Sequence, residues 1–249
     1  MVKEATGIVL KSISYSESSL ISRIYTKEFG KISVMARGAK KAKGGKAGML
    51  EPMNIVELQI NLNESRDLQI LREISIIQNL SHIRSNIQKL AVGLVMVEIL
   101  DKTTQANDQS EILYRLIQKS LITLDHNSNN HLTLLLFYHL QFSKYSGFNP
   151  IQDQCHQCND LLTEANLHSQ NGYLYCKNCN YNDGIYLSND NLSLLKLLSS
   201  THINDLQSIE INSKTVQVLE KYLIQFMVFH LQGMHNIKSL NFLNEVAFA

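Results

Sequence analysis

A chain of 249 residues, 44% hydrophobic and 18% charged, has apolar material for one large domain or two to three small ones, which excludes a disordered chain. Its net charge of +1 is unevenly placed: residues 1–80 carry 12 Lys and Arg against 8 Asp and Glu, and the remainder 11 against 14, so the front end is the part suited to a polyanion. The opening "MVKEATGIVL" lacks the apolar core of a signal peptide, and no run reaches the roughly 18 apolar residues of a membrane span, so the expectation is a cytoplasmic protein.

Residues 6–75 have strand character. "TGIVLKSI" (6–13) and "SLISRIYT" (19–26) are rich in β-branched side chains, and the second leads through a Phe29-Gly30-Lys31 turn into "KEFGKISVMAR" (27–37). In "NIVELQINL" (54–62), Val56, Leu58, Ile60 and Leu62 alternate with Glu57, Gln59 and Asn61, the period of a sheet with one wet face. After the turn Asn63-Glu64-Ser65, "RDLQILREISI" (66–76) completes a set of strands that fits a small closed barrel, the OB-fold being the commonest five-stranded kind. From residue 78 the period becomes helical. Leu80, Ile83, Ile87, Leu90, Leu94 and Val97 predict one long helix over 78–103. Asp108 with Glu111 suggests a capping-box start for a second over 109–124, and Gly147 and Pro150 close a third. Two more are predicted at 189–200 and 213–232. The expected fold class is α+β and multidomain, with an OB-fold domain over 1–77, a helical domain over 78–249 and a cysteine-bearing insert over 150–187.

All four cysteines lie in that insert, as C-x2-C-x17-C-x2-C: Cys155, Cys158, Cys176 and Cys179. Two such knuckles deliver four thiolates to a tetrahedral Zn²⁺, with "GYLYC" as the second strand of an intervening hairpin. Two disulfides are disfavoured because nothing points to an oxidising compartment. Four thiolates leave no position for water, and no H-x-E occurs in the chain, so the predicted zinc is structural. His156 and His168 are read as exposed histidines beside the site rather than ligands.

Residues 37–48, "RGAKKAKGGKAG", hold five cations and no acid. A phosphate-cradling G-x4-G-K-[ST] loop would need Gly at 40 and a hydroxyl at 47, where Lys40 and Ala47 stand. A flexible linker with solvated lysines remains one reading. The other is a mobile cationic loop that grips phosphates on a barrel whose loops and sheet face suit oligonucleotides. Arg23, Lys27 and Lys31 lie nearby with Tyr25 and Phe29 interleaved, two aromatics read first as core or turn residues and only second as base platforms.

In "GIVLKSISYSESSLISRIYTKEFGKISVMARGAKK" and in the C-x2-C…C-x2-C insert after a helix ending "YSGFNP", the chain resembles the bacterial recombination-mediator family RecO in its zinc-bearing members, over nearly its full length. The resemblance implies a non-enzymatic DNA repair and recombination protein. Such a protein binds single- and double-stranded DNA, anneals complementary strands and works with RecR. It helps load RecA onto DNA coated with single-stranded-DNA-binding protein, whose acidic C-terminal tail the family contacts. Carried onto this sequence, it makes Arg23, Lys27, Lys31, Arg37, Lys40, Lys41, Lys43 and Lys46 the DNA-contacting candidates and the four cysteines the zinc ligands. It also implies a bacterial, cytoplasmic, nucleoid-associated protein. An RNA-binding or ribosome-associated zinc protein built on the same barrel is the alternative. The apolar end "NFLNEVAFA" has no functional reading.

Overall fold

The computed structural model describes residues 1–63, 65–126, 130–179 and 184–247. Glu64 of the Asn63-Glu64-Ser65 turn, four residues of the 150–187 insert and the last two residues of the apolar end therefore lie outside the described residues. Five strands, β1 (Val2–Ser14), β2 (Leu20–Thr26), β3 (Gly30–Ala36), β4 (Ile55–Asn61) and β5 (Leu68–Gln78), close into a barrel in the order β1-β2-β3-β5-β4. This is the expected OB-fold, with antiparallel neighbours throughout except β3 and β5, which run parallel. β1 serves two neighbours. Its Val2–Ile8 half pairs with β4 and its Gly7–Ser14 half with β2, and a bulge between Val9 and Lys11 lets it turn the corner. Alternate side chains fill the barrel, among them Val9, Ile24, Val34, Val56, Leu58 and Ile60.

Seven α-helices follow among the described residues: α1 (Ser81–Ser85), α2 (Ile87–Thr103), α3 (Glu111–His126), α4 (His131–Tyr145), α5 (Asn189–Ser200), α6 (Ser213–His230) and α7 (Ser239–Ala247). The single helix expected over 78–103 is two. Asn86 has extended backbone, and its side-chain oxygen takes the N–H groups of Gln88 and Lys89, both at 3.0 Å, so α2 starts afresh there. The start of α3 also differs from expectation. Ser110, not Asp108, caps it, its hydroxyl accepting the Leu113 N–H. Between α4 and α5 lie three short strands, β6 (Ala165–Leu167), β7 (Leu174–Tyr175) and β8 (Ile185–Leu187), in a sheet of order β7-β6-β8.

The chain divides into two compact units, Met1–His126 with Ile237–Val246, and Asn127–Asn236 with the last three residues. In the first, the barrel carries α1–α3 on one flank. Asp125 of α3 is 3% exposed and ties the flank together: its Oδ1 accepts the Ile83 N–H at 2.9 Å and its backbone oxygen accepts from the buried Lys89 ammonium. In the second, α4 and α6 pack around Leu134, Tyr138, Leu219, Tyr222 and Phe226. His139 and Glu220 lie buried between those helices, Nδ1 and Oε2 3.2 Å apart. No described helix is long and apolar enough to cross a membrane.

Candidate nucleic-acid interface and metal centre

The cationic stretch joins β3 to β4 and is not a linker. Ala39 within it is fully buried and counts among the barrel's core residues. The Ala39 carbonyl accepts the N–H groups of Lys46 and Ala47 at 2.8 and 2.9 Å, which closes residues 39–46 into a compact lobe. The glycines serve this closure. Gly44 holds a left-handed φ of 73°, and a side chain at Gly45 would meet the Lys41 carbonyl at 2.3 Å. Two lysines pin the lobe to its surroundings. Lys40 donates to Ser14 Oγ at 2.7 Å and to the Ser16 carbonyl, and Lys46 donates to the Arg72 carbonyl on β5. The expected mobile loop is thus folded against the barrel at both ends. Arg37, Lys41 and Lys43 are exposed on it, and among the described residues none of the five cations has a carboxylate within ion-pair distance. Nor does the sequence place any acid between Glu28 and Glu51.

The cysteine sulfurs lie within 4.8 Å of one another, and those of Cys158 and Cys176 are 3.7 Å apart. A tetrahedron with metal–sulfur bonds of about 2.3 Å needs sulfurs about 3.8 Å apart, so the set fits a single metal ion. All four are free thiols, which removes the disulfide reading. Each knuckle is shaped by backbone bonds: Cys155 N–H to the Asp160 carbonyl at 2.8 Å, with Asn159 in a left-handed conformation, and Cys179 N–H to the Cys176 carbonyl at 3.1 Å. Burial alone would raise the Cys155 pKa, but backbone N–H groups of Cys158, Cys176 and Gln157 outweigh it and hold the thiol at about 6. Those N–H groups favour the thiolate, the form in which a cysteine binds a metal. His156 is exposed and stacks on Tyr173, ring centroids 4.0 Å apart and planes 2° from parallel, and neither it nor His168 belongs to the sulfur cluster.

Family models of recombination protein O match most of the chain, the N-terminal one over residues 1–80 and the C-terminal one over 84–240. The chain belongs to the recombination protein O family. Proteins named "DNA repair protein RecO" are similar to it over almost their whole length. That of Oceanobacillus iheyensis is 25% identical over 250 residues, covering 100% of this chain and 95% of the relative. That of Listeria innocua is 28% identical, covering 98% and 95%, and that of Syntrophus aciditrophicus 26%, covering 96% and 94%.

Within this recombination protein O fold the eight cations separate into two groups. Arg37, Lys40, Lys41, Lys43 and Lys46 share the β3–β4 loop. Arg23, Lys27 and Lys31 sit on the β2–β3 hairpin and are engaged. Arg23 pairs with the buried Asp101 carboxylate at 2.6 Å, Lys27 faces Glu111 at 3.5 Å, and the Lys31 ammonium donates to the carbonyls of Asp101 and Thr104 at the C-terminal end of α2. Burial draws the Lys31 pKa down despite the attraction of Asp101. Tyr25 is fully buried, its hydroxyl donating to the Asp108 carbonyl, and burial with the Asp108 charge pushes its pKa up to about 12. Phe29 packs against the barrel core, so neither aromatic is a base platform. The exposed aromatic beside the loop is Tyr15, at 62% exposure. Charge patterning does not point to it, because it belongs to the β1–β2 turn, some twenty residues before the cationic run. The signal was there: a lone Tyr at the end of an alternating strand, followed by Ser-Glu-Ser-Ser.

Proposed function

We propose that this member of the recombination protein O family acts in DNA repair by binding single- and double-stranded DNA through the β3–β4 lobe. The observation that carries the reading is the acid-free stretch from Phe29 to Leu50, folded so that Arg37, Lys41 and Lys43 face solvent together. Cations on one lobe hold phosphates without reading bases, which makes binding sequence-indifferent and salt-sensitive. The same lobe screens two backbones at once and so lowers the repulsion between complementary strands, which is annealing without a reacting group. The proposed role is accordingly non-enzymatic.

The finer assignments rest on the family resemblance: partnership with RecR, assistance in loading RecA onto DNA covered by single-stranded-DNA-binding protein, contact with that protein's acidic C-terminal tail, and a cytoplasmic, nucleoid-associated setting. In the insert, Cys155, Cys158, Cys176 and Cys179 would hold one Zn²⁺, an ion suited to a closed tetrahedral set of four thiolates. Its contribution is structural. It fastens an insert too small to build a core of its own.

The test is annealing of complementary oligonucleotides, naked and coated with single-stranded-DNA-binding protein, by the wild type and by an Arg37→Gln, Lys41→Gln, Lys43→Gln variant. The three side chains are exposed, so folding is expected to survive. Loss of three phosphate contacts should flatten the slope of log affinity against log salt by about 2 for single strands, each contact being worth about 0.7. Unchanged binding and slope in the variant would refute the lobe as the DNA grip.

A further inference from the structure

Tyr15 is held out in water by a backbone that is itself fixed. Its N–H donates to the Ser19 carbonyl at 3.1 Å, and Ser19 N–H returns to Ser16 Oγ at 3.2 Å. The turn is then stitched to the cationic lobe: Lys40 N–H donates to the Ser18 carbonyl at 3.0 Å, and the Lys40 ammonium reaches Ser14 and Ser16. Between turn and lobe opens a cleft of about 510 Å³ lined by Tyr15, Ser18, Ser19, Met35, Arg37 and Lys41. That volume is within the range of small-ligand sites. A larger cleft of about 640 Å³ beside Met1, Lys3 and Arg66 has no aromatic side chain in its wall.

The floor of the Tyr15 cleft continues across the barrel. Strand register places Ile13, Ile21, Met35 and Ile70 side by side on β1, β2, β3 and β5. Ile13 is 50% exposed and the other three are partly so, while the flanking Leu20, Ser22, Val34 and Ala36 point inward and are buried. An apolar row facing water next to cations, with an aromatic ring at its head, has the makeup of a surface that takes flat apolar groups joined by anionic links. A phenol ring and a thioether offer faces to a planar ring, a guanidinium and an ammonium hold charge on either side, and two serine hydroxyls can bond any base edge.

We infer that this cleft is a base-stacking site, in which Tyr15 and Met35 take the face of one unpaired base while Arg37 and Lys41 hold its flanking phosphates. The inference rests on the DNA-binding reading above and adds to it a preference. Base faces are hidden in a duplex and open in a single strand, so the site makes the lobe's indifferent grip selective for unpaired DNA.

The experiment compares the affinity of the full-length protein for an intact oligonucleotide and for an abasic strand of the same length, at one salt concentration, by fluorescence anisotropy. Wild type and Tyr15→Phe should bind the intact strand about fivefold to a hundredfold more tightly than the abasic one, the range given by one base stacked on an aromatic ring. Tyr15→Ala should lose that ratio while keeping its affinity for the abasic strand. Equal binding of both strands by the wild type overturns the stacking site and leaves the cationic grip standing; a cleft that serves a protein partner gives this same result. Equal loss on both strands in Tyr15→Ala also overturns it. Failure of the wild type to bind either strand overturns the DNA-binding reading itself.

Discussion

Lys31 shows how a cation can stand in a basic run and still be committed elsewhere. Its ammonium sits on carbonyls at the end of α2, where the helix leaves acceptors unpaired and the helix dipole favours positive charge. Beside it, the Arg23 guanidinium satisfies an Asp101 carboxylate that is 3% exposed. Replacing Lys31 with Met keeps the stem and removes the charge, which should cost about 1–2 kcal/mol in a urea titration through lost hydrogen bonds to those carbonyls. DNA affinity should stay within about twofold, since the lobe cations are untouched. A large loss of affinity with no loss of stability would show that Lys31 contacts DNA directly. The sequence could not make this distinction, because Asp101 and Thr104 lie some seventy residues away and only the fold brings them to the hairpin.

At the scale of elements, α7 is the clearest case of structure that pattern alone left unexplained. Its first residue hands both its N–H and its hydroxyl to one oxygen of Glu98 on α2, at 2.8 and 2.7 Å. A carboxylate at a helix start is favoured by the orphan N–H groups and by the dipole. Burial raises the Glu98 pKa, but these bonds to Ser239 outweigh it and leave the group below its ordinary 4.5. The stability it contributes is therefore present above pH 4.5 and fades as pH falls through the lower folded value. Glu98→Gln should remove that acid limb and cost about 1 kcal/mol near neutrality, solvent screening keeping the figure small, as read from melting curves between pH 3 and 7. An unaltered pH profile would show that α7 is docked by its apolar face alone. The barrel strands were legible because Val56, Leu58 and Ile60 alternate without interruption. The break at Asn86 was not, since Ile83, Ile87 and Leu90 keep helical spacing on both sides of a residue that caps rather than continues. The lobe's cations were legible as a run. Its folding around Ala39 was not, because a small residue among lysines carries no periodic signal.

For the whole molecule, the four-cysteine cluster should behave as a local clasp. With a chelator that competes for four thiolates, amide exchange at Leu167, Leu174 and His156 should accelerate by at least tenfold, while the barrel amides of β1–β5 keep their protection. Metal analysis should return one ion per chain before treatment and none after. Loss of protection in the barrel at the same chelator concentration would contradict a clasp confined to the insert. The cysteine spacing made this site readable because both knuckles are short-range, whereas the Tyr15 cleft joins two turns more than twenty residues apart and surfaces only once the barrel is closed.

The Glu98–Ser239 bond joins residues 141 apart, and its second partner belongs to a segment that returns to the first unit after residues 127–236 of the second have been spelled out. On a ribosome adding about 5–20 residues per second, the barrel and α1–α3 emerge first, with the carboxylate of Glu98 exposed to water for many seconds before α7 exists to receive it. Closing so long a loop costs more entropy if the intervening chain is still open, by about (3/2)RT per e-fold of its effective length, than if it has already condensed. Translation order thus makes the second unit a folding spacer for the first: its condensation shortens the tether on which α7 comes home.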